Sequence, residues 1–335
     1  MRQAAIIAVD GGNSKAELVL AGSDGRLLAF VRGGTISHQV VGWEAGLAQL
    51  RRLVATARDE ARLAKAGRPA KMGVFCLAGA DSRSETARLA GALRGQEIAE
   101  QVVVLNDSRA ALRAGSPSGW GVAVICGAGV NAICVAPDGR VAGFPALGAL
   151  SGDWGGGMSL GDAALTAALR GRDGRGARTL LEQLVPAHFG LSRPSSVMWA
   201  VYHGRIRQEA LRDLSPVVFA AAMDGDAVAR AIVDHLADEL ATMATVTLRR
   251  LRLLRRSVDV VLAGGVMQTR DESFFARFEE QLHRHAPGAR THRLSERPVV
   301  GAALLALDRL PHPRMAEARL RRELGERAPT VVRDR

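Results

Sequence analysis

Two aspartates sit where apolar runs stop. Asp10 follows the run Ala4–Val9 and opens "DGGNSK", and Asp107 follows Val102–Leu105 and Asn106 within "NDS". A carboxylate where a buried strand meets a glycine turn can hold Mg²⁺ directly or through its waters. A carboxylate at a strand end just ahead of a helix can take the proton from a hydroxyl as that hydroxyl attacks a γ-phosphate. Each has a plainer alternative, Asp10 capping its own turn and Asp107 capping the helix that starts near Ser108.

Glycines supply the other half of such a site. Three glycine elements follow apolar strands: Asp10-Gly11-Gly12-Asn13-Ser14 with Lys15 next, Gly127-Ala128-Gly129, and Gly264-Gly265-Val266. Small residues in a tight turn bring main-chain N–H groups close to phosphate, and three such loops point to a nucleotide, ATP, clamped between two domains. The chain has no G-x-x-x-x-G-K-[ST], and "GGNSK" runs into a strand rather than opening a helix, so neither the P-loop nor the dinucleotide fingerprint fits. The phosphates would lie between two β-hairpin turns. A fourth segment, "ALGALSGDWGGG" at 146 to 157, is too glycine-dense for a regular helix. Its Asp153 suits the vicinal hydroxyls of a sugar, with a plain loop as the alternative. His188, His203, His235, His283, His285 and His292 show no ligand spacing and are read as structural.

The elements that would position these residues alternate between strand and helix, which implies an α/β layer fold. The first 35 residues read as three strands joined by the glycine turn and by "SDG" at 23 to 25. A helix follows from Trp43 to Leu63, then a strand at Gly73–Leu77, a helix near Ser84–Leu93 capped by Ser82 or Ser84, and a strand at Val102–Leu105. The segment Gly121–Phe144 repeats the opening: Asp24-Gly25-Arg26 and Phe30 return as Asp138-Gly139-Arg140 and Phe144. That repeat indicates a duplicated domain. A long helix is expected over 226–254 from its apolar period. The expected division is 1–116, completed by a helix at 299–310, then 117–298, then a charged tail over 311–335, a frayed helix or plain tail with the weak stripe Met315, Leu320, Leu324.

Composition bounds the partners. Aromatic residues make up 4% of the 335-residue chain, which leaves little for stacking on nucleic-acid bases. The net charge is +11, but only three of the 45 basic residues are lysine. The densest run, "LRRLRLLRR" at 248 to 256, ends a helical pattern, where arginine complements exposed carbonyls. Cys76, Cys126 and Cys134 lie inside apolar runs without metal or disulfide spacing. The N-terminal apolar run is shorter than a signal sequence, and no 18 apolar residues run together. These features predict a cytoplasmic protein with no nucleic-acid or membrane partner, and a homodimer is the expected assembly.

The loops, the repeat and the aspartates together resemble the N-acetylglucosamine kinases and the BadF/BadG-type ATPases of the actin-like, hexokinase-like ATPase superfamily. The resemblance runs to about residue 310 and is carried by "DGGNSK", "SH" (37 to 38), "NDS", "CGAGVN", "GDWGGG", "LAGGV" and "VVGAALLAL". It implies two RNase H-like domains with a cleft that closes on substrates. It also implies that residues 11 to 14 and 127 to 129 are phosphate loops, that Gly264 and Gly265 contact adenosine, and that Asp107 is the catalytic residue. Ser37, His38, Asn106, Gly152 and Asp153, with Asp107, fall on sugar-contacting positions. Ser37, Ala128, Leu147 and Trp154 depart from the family pattern of Asn, Thr, Trp and an acidic residue. The implied activity is an ATP- and Mg²⁺-dependent transfer to the 6-hydroxyl of an amino sugar. The alternatives are a dehydratase-activating ATPase, whose iron–sulfur cluster needs exposed cysteines, and a non-catalytic sugar-sensing regulator.

Overall fold

The computed structural model describes residues 3–332 apart from Lys65 and His312, with the backbone alone for Pro313, Arg314 and Met315. The side chain of Met315, the first residue of the C-terminal stripe, and residues 333–335 therefore lie outside the described residues. The chain divides into two compact units, Met1–Trp120 with Leu294–Arg335, and Gly121–Arg293.

The first unit opens with strands β1 (Ala4–Gly11), β2 (Lys15–Ala21) and β3 (Leu27–Gly34). Helices α1 (His38–Val41) and α2 (Trp43–Glu60) come next, then β4 (Ala70–Leu77), α3 (Arg83–Arg94), β5 (Ala99–Asn106) and α4 (Ser108–Gly115). The second unit holds β6 (Gly121–Cys126), β7 (Val130–Val135), β8 (Val141–Gly143), α5 (Gly156–Asp173), α6 (Leu181–His188), α7 (Pro194–Tyr202), α8 (Ser215–Met223) and α9 (Ala227–Arg250). It ends with β9 (Val258–Ala263), α10 (Glu272–His283) and β10 (Ala289–Arg293). The chain then returns to the first unit as α11 (Pro298–Leu307), α12 (Pro313–Glu326) and β11 (Thr330–Val331).

The two sheets share one plan. Strand order is β11-β3-β2-β1-β4-β5 in the first and β10-β9-β6-β7-β8 in the second. Taken from the first hairpin outward, β3-β2-β1-β4-β5 maps onto β8-β7-β6-β9-β10. In both, an antiparallel hairpin leads and parallel strands follow. The repeat noted in the sequence is carried down to single bonds. Gly22 N–H donates to Arg26 O and Ala136 N–H to Arg140 O, both at 2.9 Å, while Asp24 and Asp138 each accept from the main-chain N–H two residues on at 3.1 Å.

Burial explains why β1 reads as continuous apolar sequence. Alternate side chains of a strand point to opposite faces; Ile7 and Val9 join the core formed with Leu50 and Leu53 of α2 and Leu89 and Leu93 of α3. Ile6 and Ala8 join the opposite core, formed with Phe30 and most of α11. Helix α11 lies so close to α4 that a Cβ on Gly301 would fall 1.8 Å from Ala110 O. Arg113 of α4 adds ion pairs to Asp308 and Glu317, both at 2.8 Å.

Two regions differ from the sequence reading. The C-terminal segment is a packed helix rather than a frayed one or a tail, because Ala316, Leu320 and Leu324 are buried on the first unit while Glu317 pairs with Arg113 and Arg321. Helices α5 to α8 have no counterpart in that reading, and Gly156 and Gly157 open α5 instead of belonging to a loop. Arg250, in the basic run, donates to Gly143 O at 2.7 Å and lies over the Phe144 ring, so it is spent inside the second unit. Among the described residues no helix is long and apolar enough to cross a membrane.

Candidate active site

The carboxyl ends of β1, β4 and β5 lie side by side, with Gly11 paired to Leu77 and Leu77 to Asn106. The turn after β1, the loop after β4 and the residues after β5 therefore emerge at one edge of the sheet, where open parallel sheets place ligands. Asp10 stands opposite Glu17 across the hairpin. Glu17 is 1% exposed and pairs with Arg32, with Arg297 at 3.6 Å and with Lys15 at 3.7 Å. Burial first, then the charges of Asp107 and Glu17, push the Asp10 carboxyl well above the usual carboxylate range, and Lys15 opposes them. Among the described residues Asp10 makes no side-chain hydrogen bond, so it does not cap its turn. That turn closes by Gly12 N–H to Lys15 O at 3.0 Å and exposes Asn13 and Ser14 at its tip.

Thr35 links this turn to the next segment. Its hydroxyl donates to Gly12 O at 2.8 Å and accepts from Ser37 N–H at 3.0 Å. Ser37 Oγ and His38 Nδ1 are buried with no partner among the described residues. An unpaired buried polar atom costs about 1–3 kcal/mol, which a ligand hydroxyl would recover. The His38 ring leans on Trp43, its centroid 4.5 Å away.

Asp107 is released from the role of helix cap by its neighbour. Asn106 Oδ1 accepts the Ser108 N–H at 3.1 Å and also the Ser108 hydroxyl, and Asp107 makes no side-chain cap bond. Burial pushes Asp107 up to about 6, against the pull of the Ser108 and Asp107 main-chain N–H groups. Sequence reasoning missed Asp81, which accepts from Asn106 Nδ2 at 2.7 Å. Burial, then the charges of Asp107 and Glu85, push it up to about 7. The available signal was "AGAD" after the β4 run, the same apolar-strand, small-residue, acid order that marks Asp10.

In the second unit β6 and β9 end together, Ile125 beside Ala263. Gly127 O and Ala128 O accept from Gly157 and Met158 at 2.8 and 2.9 Å, so the loop's carbonyls are tied to the first turn of α5. Ala128 and Gly129 are exposed, and nothing lies within 4 Å of where a Cβ on Gly127, Gly129 or Gly265 would be. Gly264 cannot be replaced so freely: its φ is +108° and a Cβ would meet Cys126 O at 2.2 Å. Asn131, just after the loop, has a buried Oδ1 without a partner among the described residues. Gly152 is left-handed, and Asp153 bonds Gly148 O through its N–H at 3.0 Å and accepts the Ser151 hydroxyl. Trp154 packs on His235 with centroids 4.2 Å apart. A cavity of ≈ 580 Å³ is lined by Ala128, Gly129, Asp153, Trp154, Ser159 and Asp162 among others.

The residues singled out in sequence thus form two sets. Asp10, Gly11 to Lys15, Ser37, His38, Asn106 and Asp107 share the sheet edge of the first unit. Gly127 to Gly129, Gly152, Asp153, Gly264 and Gly265 belong to the second. Among the described residues no group of three or more His, Cys, Asp or Glu is placed to hold a metal, and all three cysteines are free and buried.

A chain of similar length, the N-acetylmuramic acid/N-acetylglucosamine kinase of Clostridium acetobutylicum, is 26% identical over 90% of this chain and 97% of that protein. The N-acetyl-D-glucosamine kinase of Dictyostelium discoideum is 24% identical over 92% and 99%. A solved Chromobacterium violaceum structure, described as a candidate N-acetylglucosamine kinase, superposes with a TM-score of 0.70 at 23% identity, covering 91% of this chain and 99% of that one. That likeness shows the two-domain actin-like ATPase fold. The model of the BadF/BadG/BcrA/BcrD ATPase family matches residues 7–306, and the chain belongs to that family.

Proposed function

We propose that this protein is an ATP-dependent kinase that transfers the γ-phosphate to the 6-hydroxyl of an amino sugar, N-acetylglucosamine or a related hexosamine. The observation that carries the reading is the sheet edge of the first unit. There Asp107, uncommitted as a cap and raised to about 6, shares one edge with Ser37 Oγ and His38 Nδ1, two buried polar atoms with no partner among the described residues. The names of the relatives point to the same class of acceptor.

In this reading Asp107 accepts the proton of the attacking hydroxyl, and Ser37, His38, Asn106, Gly152 and Asp153 bind the sugar. Gly11, Gly12, Asn13, Ser14 and Lys15 hold phosphate at the first turn, the loop of Gly127, Ala128 and Gly129 holds it at the second, and Gly264 and Gly265 take the adenosine. Asp10 suits Mg²⁺, because a cation would offset the burial and the like charges that raise its carboxyl; one or two carboxylates plus substrate phosphates are the usual protein share of such a site. The ion, when bound, neutralises charge on the phosphates. A cytoplasmic homodimer completes the proposal, and equilibrium sedimentation measures that assembly. The dehydratase-activator alternative is disfavoured by the cysteines: burial raises all three, Cys126 to about 12, so none offers a thiolate at the surface. A coupled ADP-release assay against amino sugars, N-acetylated amino sugars and plain hexoses tests the proposal. Sugar-stimulated release is expected, and its absence with every acceptor removes the kinase reading.

A further inference from the structure

Asp107 can act on a hydroxyl only if the helix behind it does not claim its carboxylate. An aspartate at the start of a helix is a favoured cap, and α4 needs an acceptor for the Ser108 N–H. Asn106 supplies it, because its side-chain amide is held at both ends: Oδ1 faces the Ser108 N–H and hydroxyl, and Nδ2 donates to Asp81 Oδ1 at 2.7 Å. We propose that Asp81 is a positioning residue for Asp107, fixing Asn106 as the cap of α4 and so leaving the Asp107 carboxylate free for the acceptor. The inference rests on Asp107 being the base.

The loop that carries Asp81 is itself packed on the acceptor segment. Gly79 has a φ of +83°, and a Cβ there would lie 2.7 Å from His38 Cε1 and 3.0 Å from Gln39 Cδ. Packing and hydrogen bonds therefore run without a break from the segment of Ser37 and His38 through Asp81 and Asn106 to the start of α4. Remove the acceptor at Asp81 and the Asn106 amide is free to turn over; the Ser108 N–H, which already pulls on Asp107, then loses its competing acceptor and holds Asp107 more firmly. Asp107 and Glu85 are the charges around Asp81, and Asp10, Cys76 and Arg109 are linked to this group electrostatically. Asp81 accepts from Asn106 whether ionised or protonated, so the bond survives across the pH range of its titration near 7.

The experiment compares Asp81→Ala, Asp81→Asn and Asp107→Asn with ATP and the best acceptor from the panel. Asp81→Ala is expected to lower kcat by roughly 10- to 100-fold, the scale of a misplaced group, with KM for ATP unchanged. Asp81→Asn keeps an oxygen that accepts from Asn106 and is expected to restore most of kcat. A merely structural Asp81 would reduce the folded fraction without separating kcat from KM, and Asn would not rescue it. If Asp107→Asn loses turnover while Asp81→Ala keeps it, the positioning role is overturned. If Asp107→Asn keeps turnover, the base assignment is what fails. A readout free of turnover is the carboxyl-carbon NMR titration of Asp107. Its midpoint is expected to drop from about 6 toward the ordinary carboxylate range in Asp81→Ala. The drop should be smaller in Asp81→Asn, which removes the same charge but keeps the bond. Equal midpoints in the two variants overturn the proposal. Should Asp81→Ala fail to fold, Asn106→Ala removes the cap from its other side, and the same drop at Asp107 is required.

Discussion

At matching places in the two leading hairpins, the first unit carries Asp10 opposite Glu17 and the second carries Ile125 opposite Asn131. The frames around these pairs are alike, down to the hydrogen bonds of the Asp-Gly-Arg turns. The first glycine turn is one residue longer and shows Asn13, Ser14 and Lys15 at its tip; the second shows only Gly127, Ala128 and Gly129. After the neighbouring parallel strand come Gly79 to Asp81 in one unit and Gly264 to Gly265 in the other. One copy of the fold has gathered carboxylates, of which burial raises Asp10, Asp81 and Asp107, and the other has gathered bare main chain. Under the proposed function, that difference would put the proton and cation chemistry at the first edge alone, while both glycine turns hold phosphate.

Asp107→Asn breaks the first side of that comparison most severely. Turnover should fall by about 10² to 10⁴, the usual worth of a positioned base, with ATP affinity by calorimetry unchanged. The wild-type kcat/KM should fall on the acid side with a midpoint near 6, where Asp107 takes up its proton; a profile flat to pH 5 would contradict this.

Gly264→Ala breaks the second side. A side chain there meets Cys126 O in a left-handed backbone. It should cost about 2–3 kcal/mol in a denaturant titration and weaken ATP, leaving the titration of Asp107 untouched. Arg113→Met tests a bond shared by neither edge. It leaves Asp308 without its arginine, while Glu317 keeps Arg321, and should cost about 2 kcal/mol, with kcat of the folded fraction preserved.

Asp10→Asn gives the smallest effect and one of unusual sign. Because folding raises the Asp10 carboxyl, its ionisation favours the unfolded chain. The contribution of Asp10 to stability is therefore greatest below about pH 4 and declines as pH rises through the folded value. The variant should melt a few degrees higher than wild type at pH 8 and equally at pH 4, while losing activity. Equal melting at both values would show that burial and the neighbouring charges do not raise Asp10.

Much of the frame was legible because it is written in local chemistry. Asp-Gly turns fix their own hydrogen bonds, and β1 is apolar on both faces because both are covered. The candidate site was less so. Asn106 and Asp107 are equally good caps on paper, and only the geometry shows which one does the capping. Asp81 is hidden in the sequence because Ser82 beside it makes a sufficient reading as the cap of α3, a role it does fill by accepting from Glu85 N–H. Helices α5 to α8 escape a reading by period since α5 is rich in alanine and glycine, and α6, α7 and α8 are only 8, 9 and 9 residues long. The C-terminal helix reads as a tail because its buried stripe is narrow and its charges, which pair with one another, dominate the composition. Ser37 and His38 are reached through the family resemblance alone, and nothing in their spacing marks them.

The return of the chain after Arg293 has a consequence for how the molecule is made. The second unit is contiguous and leaves the ribosome whole, whereas the first lacks α11 and α12 until the second has been made. Until then the face of its sheet that bears Ile6, Ala8, Val19 and Phe30 lacks the partners it packs on. Domains fold as units while synthesis proceeds, so the inserted unit should mature first. The half that carries Asp107 would be the last to close, and a chain stopped short of Pro298 would present a sticky apolar sheet to chaperones and proteases.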